Sequence, residues 1–265
     1  MPDAPPQTPE GLARLQQAHR MAIGFENLDI HLGREIVIDA EQVFEKLVVQ
    51  GRGGYCFEQN CLYADALSAL GIANRPLLAR VRLNVPADVV PPRTHVCLLA
   101  TLGGHPWLAD AGFGGGNVPP LPLEDGAEAI TADGAYYRLV RVPSGHPLDG
   151  TWRLERSAPG SQESAAREWQ PQYTFDLDEV APVDIQQANH WVSTRPGTRF
   201  TSFHIVSIPL PDGFAAMTDR ELTVSRLGTT ERRTINDAAE YAETLRQTFR
   251  ITLDDAAVHR LPLFA

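Results

Sequence analysis

No stretch of this chain approaches the ~18 consecutive apolar residues of a membrane-spanning helix, so no membrane span is expected. The opening MPDAPPQTPE lacks the basic start and apolar middle of a secretory leader. Cysteine is scarce. Cys56, Cys61 and Cys97 are three in number and form no C-x-x-C pair. That excludes a disulfide framework and argues against structural zinc, so reduced thiols, a cytoplasmic setting and no metal are expected. Positive charge is outnumbered, with 23 basic against 33 acidic residues and a net charge of −10. Nonspecific binding to nucleic acid or to anionic membranes is therefore not expected. Internal repeats and low-complexity tracts are absent.

What is present is an ordinary globular composition, 43% hydrophobic and 21% charged over 265 residues. At roughly 150 residues per domain this suggests about two domains, or one with appendages. Thr8 reads as an N-cap with Pro9 at the first helical position, and Leu12, Leu15, Met21, Ala22 and Ile23 mark an apolar face. A second helix follows Asp39, which with Gln42 makes a capping-box-like pair, and ends at Gly51. A third runs from Cys56 to Leu70 with Gly71 behind it. The period then changes. Leu77 to Val85 alternates, and His95 to Leu102 reads as a buried strand that returns through Gly103-Gly104. More strands are expected from Tyr136 to Leu154, a polar loop from Ser157 to Arg167, and strands again from Phe203 through Val224. A last helix starts near Asp237, with Tyr241, Leu245 and Phe249 on one face. The changes of period suggest boundaries near residues 75 and 195.

The first chemical signal is Arg52-Gly53-Gly54-Tyr55-Cys56-Phe57-Glu58. Two glycines allow a sharp turn, and the cysteine after them opens a helix. Unsatisfied backbone N–H groups and the positive end of the helix dipole favour a thiolate there. The competing reading is a small buried core residue, which is also the expectation for Cys61 and Cys97. A thiol nucleophile needs a base. With Gly103-Gly104 as a two-residue hairpin loop, His95 faces Gly112 and Cys97 faces Asp110. His95 and Asp110 are then diagonal neighbours on one face, about 7–8 Å apart. Asp110 lies in the apolar run Trp107 to Phe113, where a buried carboxylate needs partners. Triad logic makes Cys56 the nucleophile, His95 its base and Asp110 the group that orients the imidazole. A surface His beside a surface Asp is the plainer alternative, and spacing does not join Cys56 to this pair. Gly112, Gly114, Gly115 and Gly116 do not form G-x-G-x-x-G, so a dinucleotide fingerprint is unsupported. They read as a turn, or as backbone approaching a phosphate or pantetheine chain.

These segments resemble those of the arylamine N-acetyltransferases. Gly24-Phe25-Glu26-Asn27-Leu28 is similar to that family's Pro-Phe-Glu-Asn-Leu. Arg52 to Asn60 matches its nucleophile motif. Thr94-His95-Val96 and Asp110-Ala111-Gly112-Phe113-Gly114 match its histidine and aspartate segments, and His190 to Thr194 with Pro196 and Phe200 match a third. The resemblance covers about residues 8 to 205. It implies an α+β architecture with a papain-like Cys-His-Asp site: a helical bundle (1–75) carrying Cys56, a β-barrel-like domain (76–195) carrying His95 and Asp110, and an α/β lid (196–265). It implies acetyl transfer from acetyl-coenzyme A, through acetyl-Cys56, to an arylamine, arylhydrazine or arylhydroxylamine. Acetyl-CoA is then a co-substrate, with no permanently bound cofactor. Aromatic amines suit this role because they are largely unprotonated at neutral pH, unlike alkylamines. Phe25, Phe113 and Phe200 are carried over as the acceptor pocket, with core packing as the alternative for each. Thr94, Gly112 and Gly114 are carried over as coenzyme A neighbours.

Some departures from the family carry expectations of their own. Gly24 stands in place of proline and is expected to loosen the turn before Phe25. Little chain precedes Thr8, so a helix that commonly packs on the bundle is expected to be missing. Pro196-Gly197-Thr198 keeps a hydroxyl where the family has Pro-x-Ser. Arg52 and Glu58 are expected to pair with each other and brace the glycine turn. The competing functions are a thiol hydrolase or transglutaminase-like enzyme, an acyltransferase using a larger acyl-CoA, and a non-enzymatic binding module. A monomer or a homodimer is expected.

Overall fold

The computed structural model describes residues 4–142, 150–160 and 167–264. Helix α1 (Pro9–Ala22) starts where Thr8 predicts, its hydroxyl accepting the Gly11 N–H at 3.2 Å. Its buried stripe, however, is Leu12, Gln16 and Arg20, while Ala22 is exposed and Met21 and Ile23 are half-buried. The inward face is thus partly polar, because it meets backbone carbonyls rather than apolar side chains. After β1 (Phe25–Glu26) and the short α2 (Leu28–His31), Asp39 caps α3 (Ala40–Phe44) by accepting from the Glu41 and Gln42 N–H groups. That helix continues as one π-helical turn over Glu45–Val49. Helix α4 (Cys56–Ala69) ends before Gly71, which takes the left-handed φ of 74° typical of a helix terminator.

Strand β2 (Asn74–Val81) begins earlier and stops sooner than the alternation suggests, because the chain turns at Asn84 with φ 57°. The hairpin of β3 (His95–Leu102) and β4 (His105–Ala109) closes through Gly103-Gly104, with Leu102 opposite His105 and Leu98 opposite Ala109. The ladder stops there, so the expected pairings of Cys97 with Asp110 and His95 with Gly112 are not made. Side chains of two helices take the backbone bonds instead. Asp110 N–H donates to Gln16 Oε1, Ala111 N–H donates to Asn60 Oδ1, and Asn60 Nδ2 donates to the Val96 carbonyl.

Strands β5 (Leu121–Pro122), β6 (Ala127–Ile130), β7 (Tyr136–Arg141), β8 (Trp152–Ser157) and β9 (Gln170–Phe175) complete an antiparallel sheet in the order β5-β4-β3-β2-β9-β8-β7-β6. Its two end strands meet, so the sheet nearly closes into a barrel around Leu77, Leu108, Leu139, Leu154, Tyr173 and Phe175. Of the strand-rich stretch expected to reach Leu154, residues 143–149 lie outside the described residues, as do 161–166 of the expected loop. Strands β6 and β9 were not foreseen.

Helix α5 (Pro182–Thr194), also unforeseen, leads to α6 (Arg199–Ser202). A second antiparallel sheet follows in the order β1-β10-β11-β12-β13. Its later strands are β10 (Ile205–Leu210), β11 (Gly213–Thr218), β12 (Glu221–Arg226) and β13 (Thr229–Thr234). Phe25 and Glu26 pair with Ser207 and Val206, so the N-terminal region supplies the edge of this sheet. Helix α7 (Ala238–Phe249) lies on the sheet, with α8 (Asp255–Arg260) after it. Tyr241, Leu245 and Phe249 are fully buried as expected, Leu245 and Phe249 each contributing about 1.5–3 kcal/mol.

Candidate active site

Cys56 is the first residue of α4, so its sulfur sits where helical N–H groups lack intrahelical partners. The turn before it is fixed by charge. Glu58 accepts the Tyr55 N–H at 3.0 Å and pairs with Lys46 at 2.6 Å. Arg52 does not pair with Glu58; it binds Glu26 at 2.7 Å and Asp29 at 2.9 Å. Lys46 also reaches Asp29 at 2.7 Å. Each cation lies between two carboxylates, which lets Glu26, Asp29, Arg52 and Glu58 stay buried while Lys46 is half-buried. Asp29 is held at about 2: burial works against the charge, and Lys46 and Arg52 outweigh it.

The hairpin delivers His95 and Asp110. His95 Nε2 lies 2.8 Å from Asp110 Oδ2, and the Tyr173 hydroxyl donates to the same oxygen at 2.9 Å. Asn60 Nδ2 at 3.0 Å and the Gly112 N–H at 2.9 Å donate to Oδ1. Asp110 has no exposed surface, and four partners answer its need for hydrogen bonds. Burial opposes a charge on His95, yet Asp110 and then Cys56 outweigh it and push its pKa up to about 10. Cys56 and Asp110 both favour the charged imidazole, and the Cys56 sulfur lies 3.9 Å from the Thr94 carbonyl. Helix and hairpin thus bring together the three groups that spacing alone left apart.

Cys56 and His95 open onto a cavity of about 380 Å³. Phe25, Phe113 and Phe200 all line it, as do Thr94, Gly112 and Gly114. The Phe25 and Phe200 rings stand 5.9 Å apart, and Phe113 meets the His95 ring edge-on at 5.2 Å. A side chain at position 112 would put its Cβ 2.8 Å from the Cys56 carbonyl and 2.5 Å from Asn60 Nδ2, so this close approach requires glycine. Phe200 comes from far along the chain. Asn27 holds it by donating to the Phe200 and Phe203 carbonyls, both at 2.8 Å, and by accepting the Ile205 N–H.

Several expectations need correction. Gly24 does not loosen its turn. Its carbonyl accepts from Gln59 at 3.0 Å, and a Cβ there would lie 2.5 Å from the Phe249 carbonyl, so packing against the end of α7 asks for glycine. Cys61 is only half-buried, with its sulfur 3.5 Å from the Ile38 carbonyl and its pKa pushed up to about 11 by burial and nearby acids. Cys97 is fully buried, as expected. Sequence reasoning missed Gln16, Arg20, Asn27, Asn60 and Tyr173. The one usable signal was polarity on helix faces that otherwise read as apolar. Among the described residues no cluster of His, Cys, Asp and Glu could hold a metal, and no helix is long and apolar enough to cross a membrane.

A family model described as N-acetyltransferase matches residues 8–258, which together with the fold makes this chain an acyltransferase. Arylamine N-acetyltransferase of Escherichia coli is 36% identical over 248 residues, 92% of this chain and 83% of that protein. A Salmonella typhimurium protein named arylamine N-acetyltransferase / N-hydroxyarylamine O-acetyltransferase is 37% identical over 251 residues, 94% and 84% of the two chains. The solved Salmonella typhimurium arylamine N-acetyltransferase superposes with a TM-score of 0.86 at 34% identity, covering 98% of this chain and 93% of that one. The Mycobacterium marinum arylamine N-acetyltransferase in complex with CoA does so at 0.85 and 33% identity, covering 98% and 94%. The chain belongs to the arylamine N-acetyltransferase family.

Proposed function

We propose that the protein transfers an acetyl group from acetyl-CoA to the nitrogen of arylamines, arylhydrazines or arylhydroxylamines in two half-reactions. The observation that carries this reading is Cys56 and His95 together at the wall of an aromatic cavity, with Asp110 bound to His95 behind it. In the first half-reaction the Cys56 thiolate attacks the thioester carbonyl. The bond to the coenzyme A sulfur breaks, and that sulfur takes the His95 proton and leaves as a thiol. In the second, the neutral amine attacks acetyl-Cys56, His95 takes the amine proton, and the Cys56 thiolate departs. Asp110 keeps the imidazole oriented and stabilises its charged form.

Phe25, Phe113 and Phe200 suit a flat aromatic acceptor, and Thr94, Gly112 and Gly114 suit the pantetheine end of the donor. Among the described residues no carboxylate lines the cavity, whereas exposed Arg195 and Arg199 do, which favours an anionic co-substrate. The relative whose structure holds CoA supports the same donor. The division at residues 75 and 195 belongs to this proposal and is supported by the change from helices to the near-barrel and then to the second sheet.

Intact mass after mixing with acetyl-CoA alone tests the mechanism. One acetyl adduct is expected on the wild type, none on Cys56→Ala, and its removal by an aromatic amine. Absence of the adduct with acetyl-CoA, but its presence with a longer acyl-CoA, would replace acetyl by that group as the donor's cargo.

A further inference from the structure

Helix α1 turns Gln16 and Arg20, one turn apart, toward the loop that follows β4. Arg20 keeps only 5% of its surface exposed. A buried guanidinium is costly without a counter-charge, yet among the described residues no carboxylate oxygen lies within ion-pair distance of it. It donates instead to three main-chain carbonyls, those of Asp110 at 3.3 Å, Phe113 at 3.0 Å and Gly116. Among the described residues its Nε has no partner. Carbonyls alone do not call for a cation, since a neutral amide such as Gln16 satisfies them nearby, donating to the Val118 carbonyl at 2.8 Å.

The charge has a use in the site's own count. A Cys56 thiolate, a His95 imidazolium and an Asp110 carboxylate sum to one negative charge on three almost wholly buried side chains. Arg20 brings that sum to zero, and it binds the backbone of the same Asp110. We propose that Arg20 is a positioning residue for acyl transfer, gripping the loop that carries Asp110 and Phe113 while its buried charge balances the Cys56–His95–Asp110 group. This rests on the reading of those three residues as the catalytic set.

Arg195 and Arg199 line the cavity but are exposed; among the described residues no cation other than Arg20 and His95 acts on buried Asp110. Asp110 is faced by His95 and Cys97 from β3, Cys56 and Tyr63 from α4, and Tyr173 from β9; Arg20 is faced by Tyr137, Tyr173 and its neighbour His19. Burial keeps the tyrosines and Cys97 protonated and pushes His19 down to about 4, so all are neutral at neutral pH. Arg156, which faces Tyr137, already lies near Asp133 at 3.8 Å. Burial would raise the Asp110 carboxyl; His95, Asn60 and Arg20 together hold it below the ordinary carboxylate value.

The test is the pH dependence of Cys56 alkylation by iodoacetamide, read by intact mass with Cys56→Ala as the background for Cys61 and Cys97. Arg20→Met is expected to shift the acid limb upward by about one pH unit, making alkylation about tenfold slower on that limb. Arg20→Gln serves if the Met variant does not fold. Arg20→Lys, which keeps the charge, is expected to recover most of the shift. Gln16→Ala, which loosens the loop but keeps the charge, is expected to lower the Tm and leave the limb in place. A neutral variant with the wild-type limb, or a Lys variant shifted as far as the neutral ones, overturns the proposal. Wild-type protein that shows no alkylation specific to Cys56 overturns the underlying catalytic reading, and this one with it.

Discussion

His95 and Asp110 stand 15 residues apart around a single hairpin, whereas the turn that presents Cys56 is held by charges drawn from three separate segments. The hairpin half follows a local rule as far as Leu98 and Ala109, where a two-residue glycine loop sets the register; just beyond, Gln16 and Asn60 hold the Asp110 segment. The nucleophile half has no such rule. Arg52 bridges to Glu26, 26 residues away, and to Asp29, 23 away, while Lys46 links Asp29 to Glu58. One half is therefore expected to fail in chemistry when altered, and the other in stability.

The largest expected effect lies in the hairpin. Asp110→Asn keeps the volume but loses the charge that orients and stabilises the His95 imidazolium. Single-turnover acetylation of Cys56 is expected to slow by about 10³–10⁴-fold, with an unchanged circular dichroism spectrum. A loss below tenfold would mean that Asp110 serves folding rather than the reaction.

Glu58→Gln probes the other half. It removes one side of a buried ion pair and weakens the bond to the Tyr55 N–H. Lys46 keeps Asp29 as a partner and burial pushes Glu58 up to about 7, so stability is expected to fall by only about 1–2 kcal/mol in denaturant titration, while kcat of the folded fraction stays within about twofold. Normal melting with lost turnover would place Glu58 in the chemistry and erase the contrast.

The smallest effect concerns pH. Because His95 is raised in the folded state, its stabilising contribution is complete below its ordinary value of 6.5 and is lost as pH rises through about 10. Because Asp110 is depressed, its contribution is complete above the ordinary 3.8 and fades as pH falls below it. The stability difference between wild type and His95→Gln is expected to be widest between about pH 3.8 and 6.5, to shrink as pH rises from 6.5 to about 10, and to be largely gone above that. A difference that is flat across that range would remove the ionic character of the pair.

The legible and illegible parts of the molecule divide along the same line. Thr8, Asp39, Gly71 and Asp237 mark helix ends through contacts within a few residues, and each does so here. The His95 strand and its glycine hairpin were legible for the same reason. Helix α5 was not foreseen, and β9, which supplies Tyr173, is placed partly by the remote strand β2, with Phe175 opposite Ala79. The π-helical turn after α3 also left no mark in the apolar pattern.

By itself, the amino-acid sequence determined the helix caps, the hairpin register, the candidate nucleophile after its paired glycines and, through resemblance, the family. Those features depend on backbone sterics and on hydrogen bonds that close over short spans. Only the tertiary structure decided that Arg52 turns to Glu26 and Asp29 rather than Glu58, that Gly24 packs under the end of α7, and that Arg20 lies buried against the Asp110 loop. Buried charges and close backbone contacts depend on what the rest of the chain brings to within a few ångströms, and no local pattern records that.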